Sequence, residues 1–301
     1  RFCRTNLFVD LWDSVLPRTF TYPQLDSPTF VTASVSNFPT LSNASPGAVT
    51  VNFSEYVRFV EITDFRLLRN NSVVSLAGLA VSPVNSSQDP NNPGAFRNYT
   101  INLSAVTSLP GDYQFQVLAV DPSNPTFTAI RDVHLQFNNQ GNPLTRITDG
   151  SGVLQDYALN HLFTVDTSQP VADIVDVAPD PRNAAAGIVT VNFSEPVTGV
   201  DINDFELDRT VGVTTSLVNL GSIGVTQVSP SQYTLNLNQL SGAPGSYELR
   251  LVSTDLNTPI RDLASNPVAD NVAVGIAASD LWTVDTTLPF PLAPPAAPKG
   301  A

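Results

Sequence analysis

Three acidic residues far apart in the chain, Asp166, Glu195 and Asp262, each stand at a position the sequence repeats, with Asp26, Glu55 and Asp132 as first-copy counterparts. Carboxylates brought to one place repel unless a cation or an arginine lies between them. Ca2+ accepts about six to eight oxygens from carboxylates, amide and backbone carbonyls and water. Asn266, close after Asp262, adds an amide oxygen to this candidate metal set. A plainer reading competes. An Asp in a turn commonly caps its own backbone. Arg131 and Arg261, each directly before a loop Asp, are available as ion-pair partners for Glu55 and Glu195. No EF-hand loop is present. The run Asp201-Ile202-Asn203-Asp204 has a metal-like look but reads as a turn into a strand.

Other chemistry is sparse. The only histidines are His134 and His161, and neither sits in a zinc, triad or metalloprotease motif. Cofactor-binding glycine fingerprints are absent. Cys3 is the only cysteine, so no intramolecular disulfide is possible. A carboxylate pair for glycoside hydrolysis is disfavoured because the acidic set recurs once per copy. No catalytic residue and no enzymatic activity are therefore expected. A net charge of −13 disfavours nucleic acid and anionic membrane surfaces as partners. No apolar run is long enough for a membrane helix. The chain begins at Arg1 and has no Met, which reads as a piece of something longer. The polar stretch from Gln136 to Asn142 is the loop best suited to touching a ligand.

The elements that must position the carboxylates come from the repeat. VTVNFSE occurs at Val49 to Glu55 and again at Val189 to Glu195, 140 positions apart. In unchanged order follow EITDF and DINDF, YTINL and YTLNL, PGDY and PGSY, IRD and IRD, and FTVDT and WTVDT. The separation falls from 140 to 119, so the first copy carries 21 extra residues, placed between the matched pieces. The matched pieces alternate apolar and polar residues and favour β-branched and aromatic side chains, and turn residues separate them. About seven or eight short strands per copy predict an Ig-like β-sandwich. Tyr113 and Tyr247, each just after a Pro-Gly turn, suit a tyrosine corner. If VTVNFS is the second strand, Glu195 returns to the pole where the chain arrives. The loop holding Asp262 lies at that pole too.

The run VTVNFSEPVTGVDINDFEL, with YTLNL, IRDLASNP and LWTVDTTLP, resembles the bacterial Ig-like tandem repeats of large secreted and surface adhesin-type proteins. The resemblance is good over 171–289. It is weaker over 36–170, where Tyr56 follows Glu55 in place of Pro. It implies an all-β chain of two tandem Ig-like β-sandwich domains, at 29–169 and 170–288. Residues 1–28 are then a remnant or linker of a preceding module, and 289–301 a Pro/Ala-rich linker. It also implies an extracellular or cell-surface location, neighbouring Ig-like modules as partners, and Ca2+ at junctions. A spacer or stalk role follows. The alternatives are a glycan- or host-protein-binding module acting through its pole loops, or an accessory domain of an exported enzyme.

Overall fold

The structure, a computed structural model, describes residues 31–121, 128, 130–133, 142–253 and 258–287. The expectations for 1–28, Asp26, His134, the 289–301 linker and most of the Gln136 to Asn142 loop lie outside these residues. The described chain is all-β, with short 3-10 turns, and forms β-sandwiches around two hydrophobic cores. One core runs from Val31 to Val165 and the other from Ala172 to Val284, with no residue in common.

Alternation builds both cores. In strand Ala48–Arg58, Val49, Val51 and Phe53 point inward and are buried, while Thr50 and Asn52 are half-exposed. Strand Ile188–Phe193 repeats the pattern with Val189, Val191 and Phe193. The repeated sequences also form the same cross-strand pairs. Val49 faces Ile101 and Val51 faces Tyr99, just as Val189 faces Leu235 and Val191 faces Tyr233. Such pairs are the unit of sheet stabilisation, so conserving both partners within the repeat keeps the register.

Each sandwich opposes two sheets. In the first, Ala33–Ser36, Ala48–Arg58, Phe96–Asn102 and Val81–Pro83 pack over Leu41–Ser42, Tyr157–Val165, Gly111–Leu118, Phe65–Arg69 and Ser72–Val74, in those spatial orders. In the second, Ala172–Ile174, Ile188–Phe193, Gln232–Asn236 and Val225–Ser229 oppose Thr214–Val218, Phe205–Val211, Gly245–Val252 and Ile276–Val284. Pro196 marks one difference between the copies. The first-copy strand continues through Glu55 to Arg58, whereas in the second the strand stops at Phe193 and a short piece, Val197–Thr198, resumes after the proline. Proline lacks the N–H a continuous ladder needs.

The Pro-Gly-X-Tyr turns form tyrosine corners. Tyr113 Oη donates to the Leu109 carbonyl at 2.7 Å, and Tyr247 Oη donates to that of Ala243 at 2.9 Å. Each ring stacks on an aromatic from the repeat's last strand, Tyr113 on Phe163 at 4.9 Å and Tyr247 on Trp282 at 5.7 Å. The glycine before each corner has φ of +147° (Gly111) or +149° (Gly245), a region that side chains avoid. A Cβ at Gly245 would also lie 2.8 Å from the Thr210 carbonyl oxygen, whereas at Gly111 it would meet the movable Asn70 side chain at 3.0 Å.

The EITDF and DINDF repeats are 3-10 turns that lead into strands. Asp64 accepts from Glu61 N at 2.7 Å, and Asp204 from Asp201 N at 2.6 Å. The Asp201 to Asp204 run is thus a turn that closes on its own backbone, with Asp201 also accepting from Asn203 N at 2.7 Å. Burial pushes Asp64 up to about 7, against the lowering effect of its backbone hydrogen bond.

Gly111→Ala and Gly245→Ala each lower stability by roughly 1–3 kcal/mol, and Gly245→Ala costs more because a backbone oxygen cannot move aside as a side chain can; urea unfolding of both variants checks the order. Asp64 has a raised folded-state pKa, so its contribution is fully present below the unfolded value and fades as pH rises toward about 7. Urea titrations at pH 5 and pH 8 should show the wild type losing on the order of 2 kcal/mol more than Asp64→Asn across that interval.

Candidate metal centre at the junction

Asp166 follows Val165, the last buried residue of the first core, in the segment leading to Ala172, where the second core begins. That segment is laid against the second sandwich. Val171 N donates to Ser194 Oγ at 2.9 Å, Ser194 N to the Val171 carbonyl at 2.9 Å, and Ala269 N to the Pro170 carbonyl at 2.9 Å. Glu195 sits just past Phe193, at the end of the strand that runs back to this pole. Asp262 lies in the short strand Arg261–Asp262, facing Val197.

The three carboxylates converge. One oxygen from each of Asp166, Glu195 and Asp262 lies within 4.8 Å of the others. Oxygens on opposite sides of one Ca2+ are about 4.8 Å apart, because Ca–O bonds are about 2.4 Å long. The spacing therefore suits a shared ion. Asp262 is buried, and Asp166 and Glu195 are half-buried. Burial raises the pKa of Glu195, with further upward pressure from the charges of Asp262 and then Asp166. None of the described ion pairs involves these three residues. Arg261, an alternative partner for Glu195 on sequence grounds, instead directs a guanidinium nitrogen to the Ser265 carbonyl at 2.8 Å.

Asn266 enters differently from the sequence expectation. Its backbone N–H donates to Asp262 Oδ1 at 2.7 Å, and its amide nitrogen donates to Asp262 Oδ2 and to the Asp166 carbonyl, both at 2.8 Å. Both amide partners are acceptors, so the nitrogen must face them and the amide oxygen points away. Asn266 is a clip that holds the loop to the linker, in place of the oxygen ligand expected. From the first sandwich, Asn43 Nδ2 reaches the Ser265 carbonyl at 3.1 Å. Asp166 N donates to the Ser42 carbonyl at 2.9 Å, so the linker is tied on both sides.

The first copy keeps the clip and neutralises the acid. Asp132 accepts from Asn142 N and Asn142 Nδ2, each at 2.8 Å. Glu55 pairs with Arg97 at 3.3 Å, and the Arg97 guanidinium lies 4.6 Å from the Tyr56 ring centre. Aligning YTINL with YTLNL puts Ser231 where the first copy has Arg97. Glu195 therefore has no cationic neighbour where Glu55 has one. The spacing of Asp132 to Asn142 hid the second clip from sequence reading, because Asp262 and Asn266 are much closer together. Arg97 left a readable signal two residues before a repeated Tyr, but its contact crosses between strands.

Two further places are accounted for by their own packing. His161 packs as an aromatic against Phe38, with ring centres 4.3 Å apart and the planes tilted by 34°. A groove of 760 Å³ beside the Asn70–Asn71 turn holds Asp112, Gln114 and Thr164. Its polar groups bond one another: Gln114 Nε2 to Asn71 Oδ1 at 2.9 Å, Thr164 Oγ1 to Asp112 Oδ1 at 2.7 Å, and Asp112 N to Asn70 Oδ1 at 3.0 Å.

No protein-family model and no curated protein matches this sequence. Solved structures align over 85% of the chain. One is native alpha-2-macroglobulin from Escherichia coli spanning domains MG0-NIE-MG1, at 11% identity, 71% of that chain and TM-score 0.25. Another is the N-terminal part of the bacterial S-layer protein SbsC, at 13% identity, 44% of that chain and TM-score 0.27. A third is a chimeric titin Z1Z2 carrying a peptide from decorin, at 12% identity, 98% of that chain and TM-score 0.24. At TM-scores this low the likeness carries no argument.

The electrostatics of the two acids give opposite expectations. With EDTA at pH 8, Glu195→Gln removes a repelled charge and raises the melting temperature by roughly 1–2 °C. Glu55→Gln removes the partner of Arg97 and lowers stability by up to about 1 kcal/mol, the range of an exposed pair. Differential scanning calorimetry of both variants reads the two signs.

Proposed function

We propose that this chain is a structural spacer segment of a larger secreted or cell-surface bacterial protein, adhesion-related, whose junction is stiffened by Ca2+. Two sandwiches in series, with polar ties across the segment that joins them, suit a stalk whose properties are reach and stiffness. The observation that carries the calcium reading is the acidic cluster of Asp166, Glu195 and Asp262, which no cation in the described chain neutralises. An ion shared by these residues would hold the linker (Asp166), the second strand's end (Glu195) and the last loop (Asp262) in one geometry. Any binding restricted to the ordered junction stabilises it by mass action.

A thermal melt of the whole chain in EDTA and then in millimolar Ca2+ tests this. At a free concentration of about a hundred times Kd the gain is about 2.7 kcal/mol, a rise on the order of 5–10 °C. Asp166→Ala and Glu195→Gln should each abolish the rise, and Glu55→Gln should leave it intact. Identical melts with and without Ca2+ would overturn the calcium reading.

A further inference from the structure

We propose that the outer edge of strand Thr214–Val218 is a self-association surface, where two copies of this chain join their sheets edge to edge about a two-fold axis. The strand is terminal in its sheet and pairs only with Phe205–Val211 among the described residues. Gly212 and Val213 make a two-residue hairpin turn with Val211 opposite Thr214. Gly212 has φ +59°, which suits the first position of such a turn. The closing pair of a two-residue hairpin exchanges both its hydrogen bonds, and alternate residues then face outward. The N–H and C=O groups of Thr215 and Leu217 therefore point away from the sandwich.

An open row of backbone donors and acceptors is a template for another strand, and proteins usually blunt it with short strands, proline, bulges, charge or a covering segment. The other edges of these sandwiches carry such devices. Ser72–Val74, the first-copy counterpart, has three residues. Val81–Pro83 is equally short and ends in proline. Val225–Ser229 is broken by a register shift between Gln227 and Ser229. The end of Ile276–Val284 is covered, since Arg182 N donates to the Thr283 carbonyl and Asp285 N to the Arg182 carbonyl. Thr214–Val218 has five residues, no proline, no charge and no shift in register.

Charge selects a second copy as the occupant. The whole chain carries −13, which opposes approach of like to like, yet from Thr210 through Tyr247 there is no Asp, Glu, Lys, Arg or His, the longest such run in the sequence. The edge and its hairpin lie inside that run, with Leu217 67% exposed and Val213 fully exposed. The nearest acid on the same face, Asp208, is opposite Leu217 and held by Arg250 at 2.7 Å. With strands about 4.8 Å apart, the two Asp208 residues of a joined pair stand three spacings, about 14 Å, from each other. That exceeds the screening length of about 8 Å at physiological salt. The strand is also self-complementary. With Ser216 opposite Ser216 of the second copy, Thr215 pairs with Leu217 and Leu217 with Thr215, so the same pair occurs twice and each outward backbone group finds a partner in an isologous contact. So small an interface gives a weak dimer, and repetition along a stalk would multiply its effect by avidity.

Sedimentation velocity of the full chain in EDTA, from about 10 µM to about 1 mM, tests the proposal. The expected result is a concentration-dependent shift from monomer to dimer that strengthens from low to physiological salt. Leu217→Pro removes an outward N–H while leaving the internal ladder intact, and Thr215→Lys adds charge to the edge. Each should hold the chain monomeric through the range, with an unchanged circular dichroism spectrum as the folding control, and Val73→Lys should leave dimerisation as it is. A monomer throughout, open-ended growth beyond dimer, or a dimer that survives both edge variants would overturn it.

Discussion

Asp262 accepts two hydrogen bonds from one residue, Asn266, and Asn266 spends its remaining amide hydrogen on the Asp166 carbonyl. That bidentate clip joins the last loop of the second sandwich to the passing linker. It acts beside the hydrogen bonds from Ala269 N to the Pro170 carbonyl and from Asn43 to the Ser265 carbonyl, which tie the same loop region to the arriving chain. With it, two backbone segments a hundred positions apart are locked side by side, and the end of strand Ile188–Phe193 supplies Glu195 between them. The acidic cluster is a by-product of how the pole is closed.

The same clip in the first copy shows which part is structural and which is electrostatic. Asp132 and Asn142 repeat the bidentate geometry, so the fold requires it in both sandwiches. The neighbouring glutamate has a different fate in each. Arg97 answers Glu55, and its guanidinium also lies against Tyr56. In the second copy serine replaces the arginine and proline replaces the tyrosine, so both supports of the cation are gone together. The result is one neutralised pole and one that retains its repulsion, built from nearly the same strands.

Much of this was legible in the sequence because the repeat let each strand be read twice. The inward residues of VTVNFS, the two corner tyrosines and the convergence of Asp166, Glu195 and Asp262 all follow from alternation and strand direction. The role of Asn266 was misread, since only hydrogen-bond partners decide which end of an amide faces a carboxylate. Asn142 was hidden because an insertion stretches the loop between it and Asp132. The burial of Asp64 was equally invisible, for an acidic residue in EITDF looks like any solvated turn until its neighbours close over it. The open edge at Thr214–Val218 could not be recognised before it was known which strands end a sheet.

In each sandwich an early segment, past the first strand, lies beside the last strand and points the same way. Leu41–Ser42 pairs in parallel with Thr164 and Val165, and Arg182 bridges in parallel to Val284. The chain therefore enters a sandwich at one end of this pairing and leaves at the other. A force applied along the chain pulls these strands past each other, so their hydrogen bonds bear the load together. A hairpin pulled open from its ends would instead release its bonds in sequence. Each sandwich is thus arranged as a shear joint under tension, and the ties at the Asp166 junction continue that load path from one core to the next.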